Sequence, residues 1–282
     1  MNIQYHFFIR LLNNWSNFLL RRLERKTSYE NLSYPRKTIL CRNIVLKNRH
    51  KDQSTFVIVN GPSLKKQNLS LLKNEVTFAV NSFWKHSIVK DWQPTYLCAS
   101  DPDIFQDDSK IDKFWCDLKI TIPNSTILTI LDFGYDYFFK KFPECIDNTF
   151  FIAQYGCPDN NLDLCKTVQG FQSVSAFALA NAIYMGCNPI YLLGYDHDFL
   201  ADVGVAKHFY SGTTFGFAYE SQNQSDYSSY LDEINSVKLL YENYYALKEI
   251  ADKRGIKIYN ATEGGYLDVF PRVKYESIFR KT

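Results

Sequence analysis

Short apolar segments that end abruptly in turn-forming polar residues recur along this sequence. Each segment is four to seven residues long and rich in β-branched, aliphatic or aromatic residues, which is typical of buried β-strands. The residues that follow are mostly Asn, Gly, Ser or Asp, which favour turns. Strands are predicted at Thr55–Val59, Val76–Val80, Thr95–Ala99, Lys119–Ile122, Ser125–Leu131, Pro189–Leu193 and Ile256–Tyr259.

Two longer stretches have the length and composition of helices, and each precedes a predicted strand. They run from about Ser173 to Met185 and from about Tyr227 to Arg254. Strands that alternate with helices predict an α/β fold, with a largely parallel sheet flanked by helices in a single domain. A chain of 282 residues with 46% hydrophobic content can bury one substantial core and carry an appendage.

The first 51 residues differ from the rest in pattern and charge. Apolar side chains from Ile3 to Leu19 recur on one face of a helix, which predicts an amphipathic helix. Through Lys51 there are eleven Lys and Arg against two Glu, although the whole chain carries only +2. We predict a basic N-terminal arm over residues 1–51 and a main domain over residues 52–282. The apolar face of the arm fits an anionic membrane surface, its own domain or a second subunit in a homo-oligomer.

Composition excludes several classes of protein. A net charge of +2 argues against nucleic acid as a partner. Seven scattered cysteines without a CxxC pair argue against a disulfide framework and a zinc site. No apolar run reaches the roughly 20 residues that cross a bilayer, and no signal-peptide pattern is visible. We therefore expect a cytoplasmic protein, for which the arm leaves open a peripheral position on the inner face of the cytoplasmic membrane.

Polar and small residues follow the predicted strands, where an open parallel sheet binds its ligands. A backbone can approach a ligand closely at Gly61, and Ser63 can cap the next segment and offer amides to a phosphate. The sequence has no GxxxxGK[ST] loop and no GxGxxG motif after a strand, so common ATP and NAD sites are disfavoured. The candidate residues at strand ends are Asn60, Gly61, Pro62, Ser63, Asn81, Ser82, Asp101, Gly194, Asp196 and Thr262.

The same strand ends carry a family resemblance that extends from about Thr55 to Arg272. The chain resembles the single-domain bacterial sialyltransferases of lipooligosaccharide synthesis. It resembles equally the wider superfamily of motility accessory factors, which glycosylate flagellin, and archaeal hydroxymethylpterin diphosphokinases. The segments that carry the resemblance are Val57–Leu64 (VIVNGPSL), Val80–Phe83 (VNSF), Ser173–Ser175 (SVS) with the following helix to Gly186, Ile190–Asp196 (IYLLGYD), Gly255–Gly265 and Val269–Arg272.

This resemblance implies a variant GT-A, Rossmann-like fold that binds a cytidine nucleotide. It also implies that the protein activates an acceptor hydroxyl and stabilises the charge of a departing phosphate. The implied positions are Asn60 and Ser63 at the phosphate or sugar, Asn81 and Ser82 at the nucleotide, Asp101, Ser173 and Ser175 along the donor site, and Gly194 and Asp196 at the ribose or base.

A histidine on the polar loop after the strand ending at Leu193 is the candidate base. His208 lies in the order Lys-His-Phe-Tyr, the family keeps a histidine and tyrosines there, and an imidazole suits proton removal near neutral pH. His197, directly after Asp196, competes for this role.

The chain departs from the sialyltransferase pattern two residues after Asp196. The sialyltransferases have a tyrosine there that supports the leaving phosphate, whereas this chain has Asp198. That role passes to Tyr195 or Tyr210, or else Asp196 and Asp198 hold a divalent cation as DxD motifs do. We favour a site without a metal ion and without a cofactor other than the donor.

The sequence thus favours a glycosyltransferase of O-antigen, capsule or lipooligosaccharide synthesis. Its donor would be a CMP-activated acidic sugar such as sialic acid or a related nonulosonate, and its acceptor a saccharide or lipid-linked glycan. Two alternatives remain: a Mg²⁺-dependent diphosphokinase of the pterin type, and a non-catalytic scaffold protein that binds a nucleotide sugar.

Overall fold

The computed structural model describes residues 29, 32–106, 108–154, 162–198, 200 and 230–279. Within these residues the chain forms a seven-stranded sheet in which every pairing is parallel, as the sequence predicts. The order of the strands across the sheet is β5-β4-β3-β2-β1-β6-β7. The strands are β1 Thr55–Ile58, β2 Val76–Val80, β3 Tyr96–Ala99, β4 Thr126–Ile130, β5 Thr149–Ile152, β6 Ile190–Leu193 and β7 Ile258–Asn260.

Helices lie on both faces of this sheet, and short 3₁₀ helices follow several strand ends. The α-helices are α1 Tyr34–Cys41, α2 Ser109–Thr121, α3 Leu131–Lys141, α4 Val174–Tyr184 and α5 Tyr230–Lys253. The 3₁₀ helices are Arg42–Leu46, Pro62–Lys66, Leu69–Leu72, Asn81–Lys85, Ser87–Lys90, Pro102–Phe105, Pro143–Asn148 and Tyr275–Phe279.

The order of the strands creates a crevice beside β1. From β1 the chain adds β2 to β5 on one side, then returns to place β6 on the other side of β1. The loops after β1 and β6 therefore leave the sheet in opposite directions. Open parallel sheets bind ligands at such a switch point, beyond the carboxyl ends of the strands.

Two apolar cores cover the two faces of the sheet. Helix α4 packs against β1, β2 and β3 and is buried from Ser175 to Tyr184. Such all-round burial explains why its sequence is apolar on every side. On the opposite face, α2 and α3 bring Trp115 and Phe138 together in a cluster of buried aromatic rings. The two cores hold the strand ends in fixed positions.

One predicted strand is wrong and one strand was not predicted. Lys119–Ile122 is not a strand but the end of α2 and its C-cap. The apolar residues Ile111, Trp115, Leu118 and Ile122 recur at helical spacing and are buried, so the helix extends through this segment. The unpredicted strand is β5, Thr149–Ile152, at the edge of the sheet.

The described part of the predicted arm packs on the domain. Leu40 and Leu46 are fully buried, and the buried Asn43 amide donates to the carbonyl oxygens of Phe151 and Leu164 at 2.8 and 2.7 Å. Residues before the predicted boundary at residue 51 therefore pack on residues after it, and the boundary itself stays a prediction. The predicted amphipathic helix lies outside the described residues. Among those that are described, no helix is both long and apolar enough to span a membrane.

Candidate functional site

The ends of β1 and β6 touch at two glycines in the crevice. The Gly61 amide donates to the Gly194 carbonyl oxygen at 3.1 Å. A Cβ on Gly61 would lie 2.1 Å from that oxygen and 1.9 Å from Asp196 Oδ2. Gly194 has a φ of +74°, which L side chains rarely adopt. Both positions therefore require glycine, and their closeness brings the Asp196 carboxylate against the first turn.

The Asp196 carboxylate is held by the turn after β1. Ser63 Oγ donates to Asp196 Oδ2 at 2.7 Å, and the Ser63 amide lies 3.4 Å from the same oxygen. Burial raises the pKa of Asp196, and the Ser63 hydrogen bonds oppose that rise. Neither of these hydrogen bonds involves the second oxygen, Oδ1.

A third loop supports Asp196 from its backbone side. The Tyr266 amide donates to the Asp196 carbonyl oxygen at 2.7 Å, and Gly265 packs against that backbone so closely that a Cβ would lie 2.6 Å from the same oxygen. The Arg272 guanidinium binds four carbonyl oxygens of this loop, among them Gly265 and Leu267. Asp196 is thus fixed between the loops after β1 and β7.

Two asparagines at neighbouring strand ends line the crevice and have buried side-chain oxygens. Asn60 Nδ2 donates to the Val80 carbonyl oxygen at 3.2 Å, which ties the end of β1 to β2 and fixes the orientation of the amide. The Oδ1 atoms of Asn60 and Asn81 are buried and have no hydrogen-bond partner among the described residues. Asn81 also has a φ of +43°. Buried polar atoms without partners are costly, so they favour a ligand that donates hydrogen bonds.

These residues line two adjoining cavities. A small cavity of about 160 Å³ lies directly over the switch point. A larger one of about 550 Å³ extends over the ends of β2 to β5. Asn81, Ser173 and Val174 line both, so the two form one cleft along the carboxyl edge. Nine of the predicted site residues line the cleft: Asn60, Gly61, Pro62, Asn81, Asp101, Ser173, Ser175, Gly194 and Asp196.

Three predicted residues lie beside the cleft without lining it. Ser63 is buried, and its hydroxyl group donates a hydrogen bond to Asp196. Ser82 is buried within the 3₁₀ helix after β2. Thr262 Oγ1 accepts a hydrogen bond from the Tyr195 amide at 3.0 Å, so it shapes the loop after β6. These three residues therefore hold the loops around the cleft and do not line it.

A chain of side-chain hydrogen bonds leads from the cleft into α5. Ser173 Oγ lies 2.8 Å from Ser175 Oγ, which lies 2.6 Å from the Tyr244 hydroxyl. That hydroxyl lies 2.7 Å from His197 Nε2. Burial lowers the pKa of His197 to about 4, so the imidazole is neutral at neutral pH, and its backbone φ is +52°.

Asp101 caps the 3₁₀ helix that follows β3. Its Oδ1 accepts a hydrogen bond from the Asp103 amide at 3.0 Å. Burial raises the pKa of the Asp101 carboxyl group, and the Asp103 amide opposes the rise. Asp101 lines the larger cavity together with Gln154 and Gln172.

Sequence reasoning missed Tyr244 and Gln154. Tyr244 lies on the apolar face of the long helix α5, where it is indistinguishable from a core aromatic residue. Gln154 follows β5, the strand that was not predicted. Its Nε2 is buried with no partner in the described chain, and its Oε1 accepts from the Phe171 amide at 3.2 Å. A polar residue after an apolar run was the available signal for Gln154.

Two predicted catalytic residues, His208 and Tyr210, lie outside the described residues. Asp198 lines the small cavity beside Asp196 and His197. Within the part of the chain that the structure describes, no group of three or more His, Cys, Asp or Glu side chains is arranged to hold a metal ion.

Comparison of the sequence with known families gives one match. Residues 26–202, more than half of the chain, match the family described as 6-hydroxymethylpterin diphosphokinase MptE-like. The chain belongs to this family. The MptE-like region includes β1 to β6 and extends through Asp196, and it begins before α1. It ends before α5, so Tyr244 lies outside the matched region.

Solved sialyltransferase structures resemble the chain at low identity. One is the Campylobacter jejuni sialyltransferase CstII in complex with the substrate analogue CMP-3FNeuAc. It is 14% identical, with a TM-score of 0.44, over 78% of this chain and 86% of that one. Another is the sialyltransferase CST-II in complex with a trisaccharide acceptor and CMP. It is 15% identical, with a TM-score of 0.32, over 74% and 80% of the two chains. No curated protein matches the sequence.

Proposed function

We propose that this MptE-like protein is a glycosyltransferase that takes an acidic sugar from a CMP-activated donor. The observation that carries the proposal is the cleft at the switch point, which is lined by the polar residues Asn60, Asn81 and Asp196. Their side-chain oxygens are acceptors for hydroxyl and amino groups, which a nucleoside and a sugar provide in number.

The proposed reaction needs little from the protein besides binding and proton removal. The bond between the sugar's anomeric carbon and the phosphate oxygen breaks, CMP leaves with the bonding electrons, and an acceptor hydroxyl forms the new glycosidic bond. A base takes the hydroxyl proton. Asp196, held by Ser63, would orient the ribose or base, while Ser173 and Ser175 would lie along the donor.

We propose His208 as the base, on the grounds of its position in the sequence after Asp196. The competing candidate, His197, is less suited because its Nε2 is engaged with the Tyr244 hydroxyl. Its pKa, lowered to about 4 by burial, also makes it a weak base at neutral pH. Replacing His208 with Ala is expected to lower turnover by about 10²–10⁴-fold and to leave donor affinity nearly intact. Loss of donor binding would assign it to phosphate recognition instead.

The first experiment is a thermal-shift comparison of CMP, CDP, UDP, GDP and ATP, each with and without Mg²⁺ or Mn²⁺. Ligand at about 100 times its Kd adds about 2.7 kcal/mol to the free energy of unfolding. We expect CMP to raise the melting temperature without a metal ion, by about 5–10 °C. A preference for UDP or GDP with Mn²⁺ would refute the CMP proposal and make Asp196 and Asp198 candidate metal ligands.

A second candidate function follows from the family itself, whose description includes a pterin diphosphokinase. Such an enzyme transfers a diphosphoryl group from ATP to a hydroxyl group of the pterin and releases AMP. Incubation with ATP, Mg²⁺ and 6-hydroxymethylpterin tests this function by the appearance of AMP. A scaffold protein, the third alternative, would bind a nucleotide sugar and release no CMP with any acceptor.

The acceptor and cellular setting are further parts of the proposal. We propose a saccharide or lipid-linked glycan of the cell surface as the acceptor. We also propose that the basic N-terminal arm makes peripheral contact with the membrane. Flotation with anionic vesicles, compared with neutral vesicles, tests the contact. Equal recovery with both vesicle types would remove the electrostatic basis of the proposal.

A further inference from the structure

A continuous chain of four polar side chains connects the cleft with the loop after β6. It runs from Ser173 through Ser175 and Tyr244 to His197, with successive distances of 2.8, 2.6 and 2.7 Å. Tyr244 is fully buried and Ser175 is 4% exposed, so water does not compete for the central hydroxyl groups. Ser173 lines both cavities of the cleft.

The direction of the hydrogen bonds in this chain has two possibilities. Each hydroxyl group has one proton to donate. If His197 Nε2 carries a proton, it donates to Tyr244, Tyr244 donates to Ser175, and Ser175 donates to Ser173. The Ser173 proton is then left for the cleft. If Nε2 carries no proton, Tyr244 donates to it, the order reverses, and the Ser173 proton is consumed inside the chain.

The Ser173 hydroxyl oxygen accepts one backbone hydrogen bond in either direction, because its proton can still go to Ser175 or to the cleft. The Ser175 amide already donates to Ser173 Oγ at 3.2 Å, so this oxygen is an acceptor at the N-terminus of α4. A ligand acceptor in the cleft completes its hydrogen bonds by taking its proton. Hydrogen bonds in a buried chain strengthen one another, so a ligand that accepts from Ser173 stabilises the same direction along the whole chain.

The packing of His197 holds the other end in place. Its ring lies parallel to the Tyr244 ring, with centroids 5.4 Å apart and an interplanar angle of 19°. Its backbone has a φ of +52°, a conformation that is uncommon among residues other than glycine. Because burial lowers its pKa to about 4, the ring is neutral and carries its proton on one nitrogen only.

We propose that His197, Tyr244 and Ser175 form a positioning network that directs the Ser173 hydroxyl proton to an acceptor oxygen of the donor. The inference rests on the proposed function for the identity of that donor. In this network His197 acts through Tyr244 and Ser175, and Ser173 is the residue that contacts the ligand. No covalent bond is broken, and the Nε2–H form of His197 sets the direction of the hydrogen bonds in the network.

Affinity measurements test the network with one hydroxyl removed at a time. Titration calorimetry with CMP and with CMP-3-fluoro-N-acetylneuraminate is expected to show about tenfold weaker binding of at least one of them to Tyr244→Phe. The matched control is Tyr184→Phe. Tyr184 is a buried tyrosine of α4 whose hydroxyl lies 3.6 Å from Cys165 Sγ, outside the network. Its variant is expected to bind as the wild type does.

Two variants at position 197 distinguish the effect of the hydrogen bond to Tyr244 from the effect of side-chain packing. In His197→Gln, the side-chain amide can donate to Tyr244 as the imidazole does, so most of the affinity should be retained. In His197→Leu, the donor is lost and the affinity should fall as in Tyr244→Phe. Equal affinity in the wild type, Tyr244→Phe and His197→Leu would overturn the proposal, as would equal loss in the Gln and Leu variants.

A spectroscopic measurement keeps the inference testable if no cytidine nucleotide binds. Only five histidines are present, so the imidazole ¹⁵N signals of the full-length protein can be assigned by single substitutions. We expect a protonated, exchange-protected Nε2 on His197 in the wild type and faster exchange in Tyr244→Phe. An Nδ1–H form with bare Nε2 would overturn the network. Failure of CMP to bind, with the expected ¹⁵N signature intact, would refute only the proposed donor.

Discussion

Replacing Gly61 with alanine adds one methyl group where the ends of β1 and β6 meet. On the present backbone the new Cβ would lie 1.9 Å from Asp196 Oδ2 and 2.1 Å from the Gly194 carbonyl oxygen. Real Cβ atoms essentially never approach another atom within 3.0 Å, so the strand ends must separate. Because the Gly194 oxygen accepts the Gly61 amide at 3.1 Å, separation also breaks that hydrogen bond.

The loss of stability in Gly61→Ala follows from these two contacts. An extra methyl group in a well-packed site costs about 1–3 kcal/mol, and a lost backbone hydrogen bond adds about 1 kcal/mol. We expect the free energy of unfolding of Gly61→Ala to fall by about 2–4 kcal/mol. For a chain of this size that corresponds to a melting temperature lower by about 5–12 °C. Displacement of Asp196 should also abolish nucleotide binding.

Differential scanning calorimetry and nucleotide titration of two glycine variants check this reasoning. The matched control is Gly170→Ala, because a Cβ at Gly170 would meet no atom within 4 Å. Its melting temperature should stay within about 2 °C of the wild type. A Gly61→Ala protein with wild-type stability and affinity would refute the argument that the switch point requires this close approach.

Three further predictions concern charge and packing. Burial lowers the pKa of His197 to about 4, so unfolding takes up a proton below about pH 6.5. The free energy of unfolding of the wild type should therefore fall by up to about 3 kcal/mol relative to that of His197→Gln as the pH falls from about 6.5 towards 4. Burial raises the pKa of Asp196, so its ionisation opposes folding. The free energy of unfolding of the wild type should therefore fall relative to that of Asp196→Asn as the pH rises above about 4. Urea titrations across this pH range measure both effects, and parallel pH profiles of a variant and the wild type would contradict the corresponding prediction. Deletion through Lys51 removes the buried Leu40 and Leu46, so it should lower the melting temperature far more than a deletion that ends at residue 28, and equal values would show that this packing adds no stability.

Much of the fold and part of the site could be predicted from local patterns. Apolar runs followed by Asn, Gly or Asp located six of the seven described strands and most residues of the cleft, since strand length and turn chemistry are local properties. The error at Lys119–Ile122 arose where a helix ends in a short apolar run, which periodicity alone does not distinguish from a strand. Because β5 was not predicted, Gln154, which follows it, was not predicted as a site residue either.

Other features depend on contacts between distant parts of the chain. The boundary at residue 51 followed a change in charge, whereas Leu40, Asn43 and Leu46 are held by packing against the sheet and by the carbonyl oxygens of Phe151 and Leu164. Charge along the sequence reports solvation, and burial depends on which surfaces meet. A change in charge along the sequence therefore does not show which residues pack on the sheet.

By itself, the sequence determined the class of fold and the edge of the sheet at which the candidate cleft lies, because alternating strands and helices permit few arrangements. Only the tertiary structure decided which polar residues act together. It placed Ser63 against Asp196 across 133 positions and Tyr244 against His197 across 47. Neither pair has a sequence signal, since a buried tyrosine on a helix and a serine in a turn satisfy ordinary patterns wherever their partners lie. The direction of a hydrogen bond depends on the partner, and the partner is set by the packing of the whole sheet.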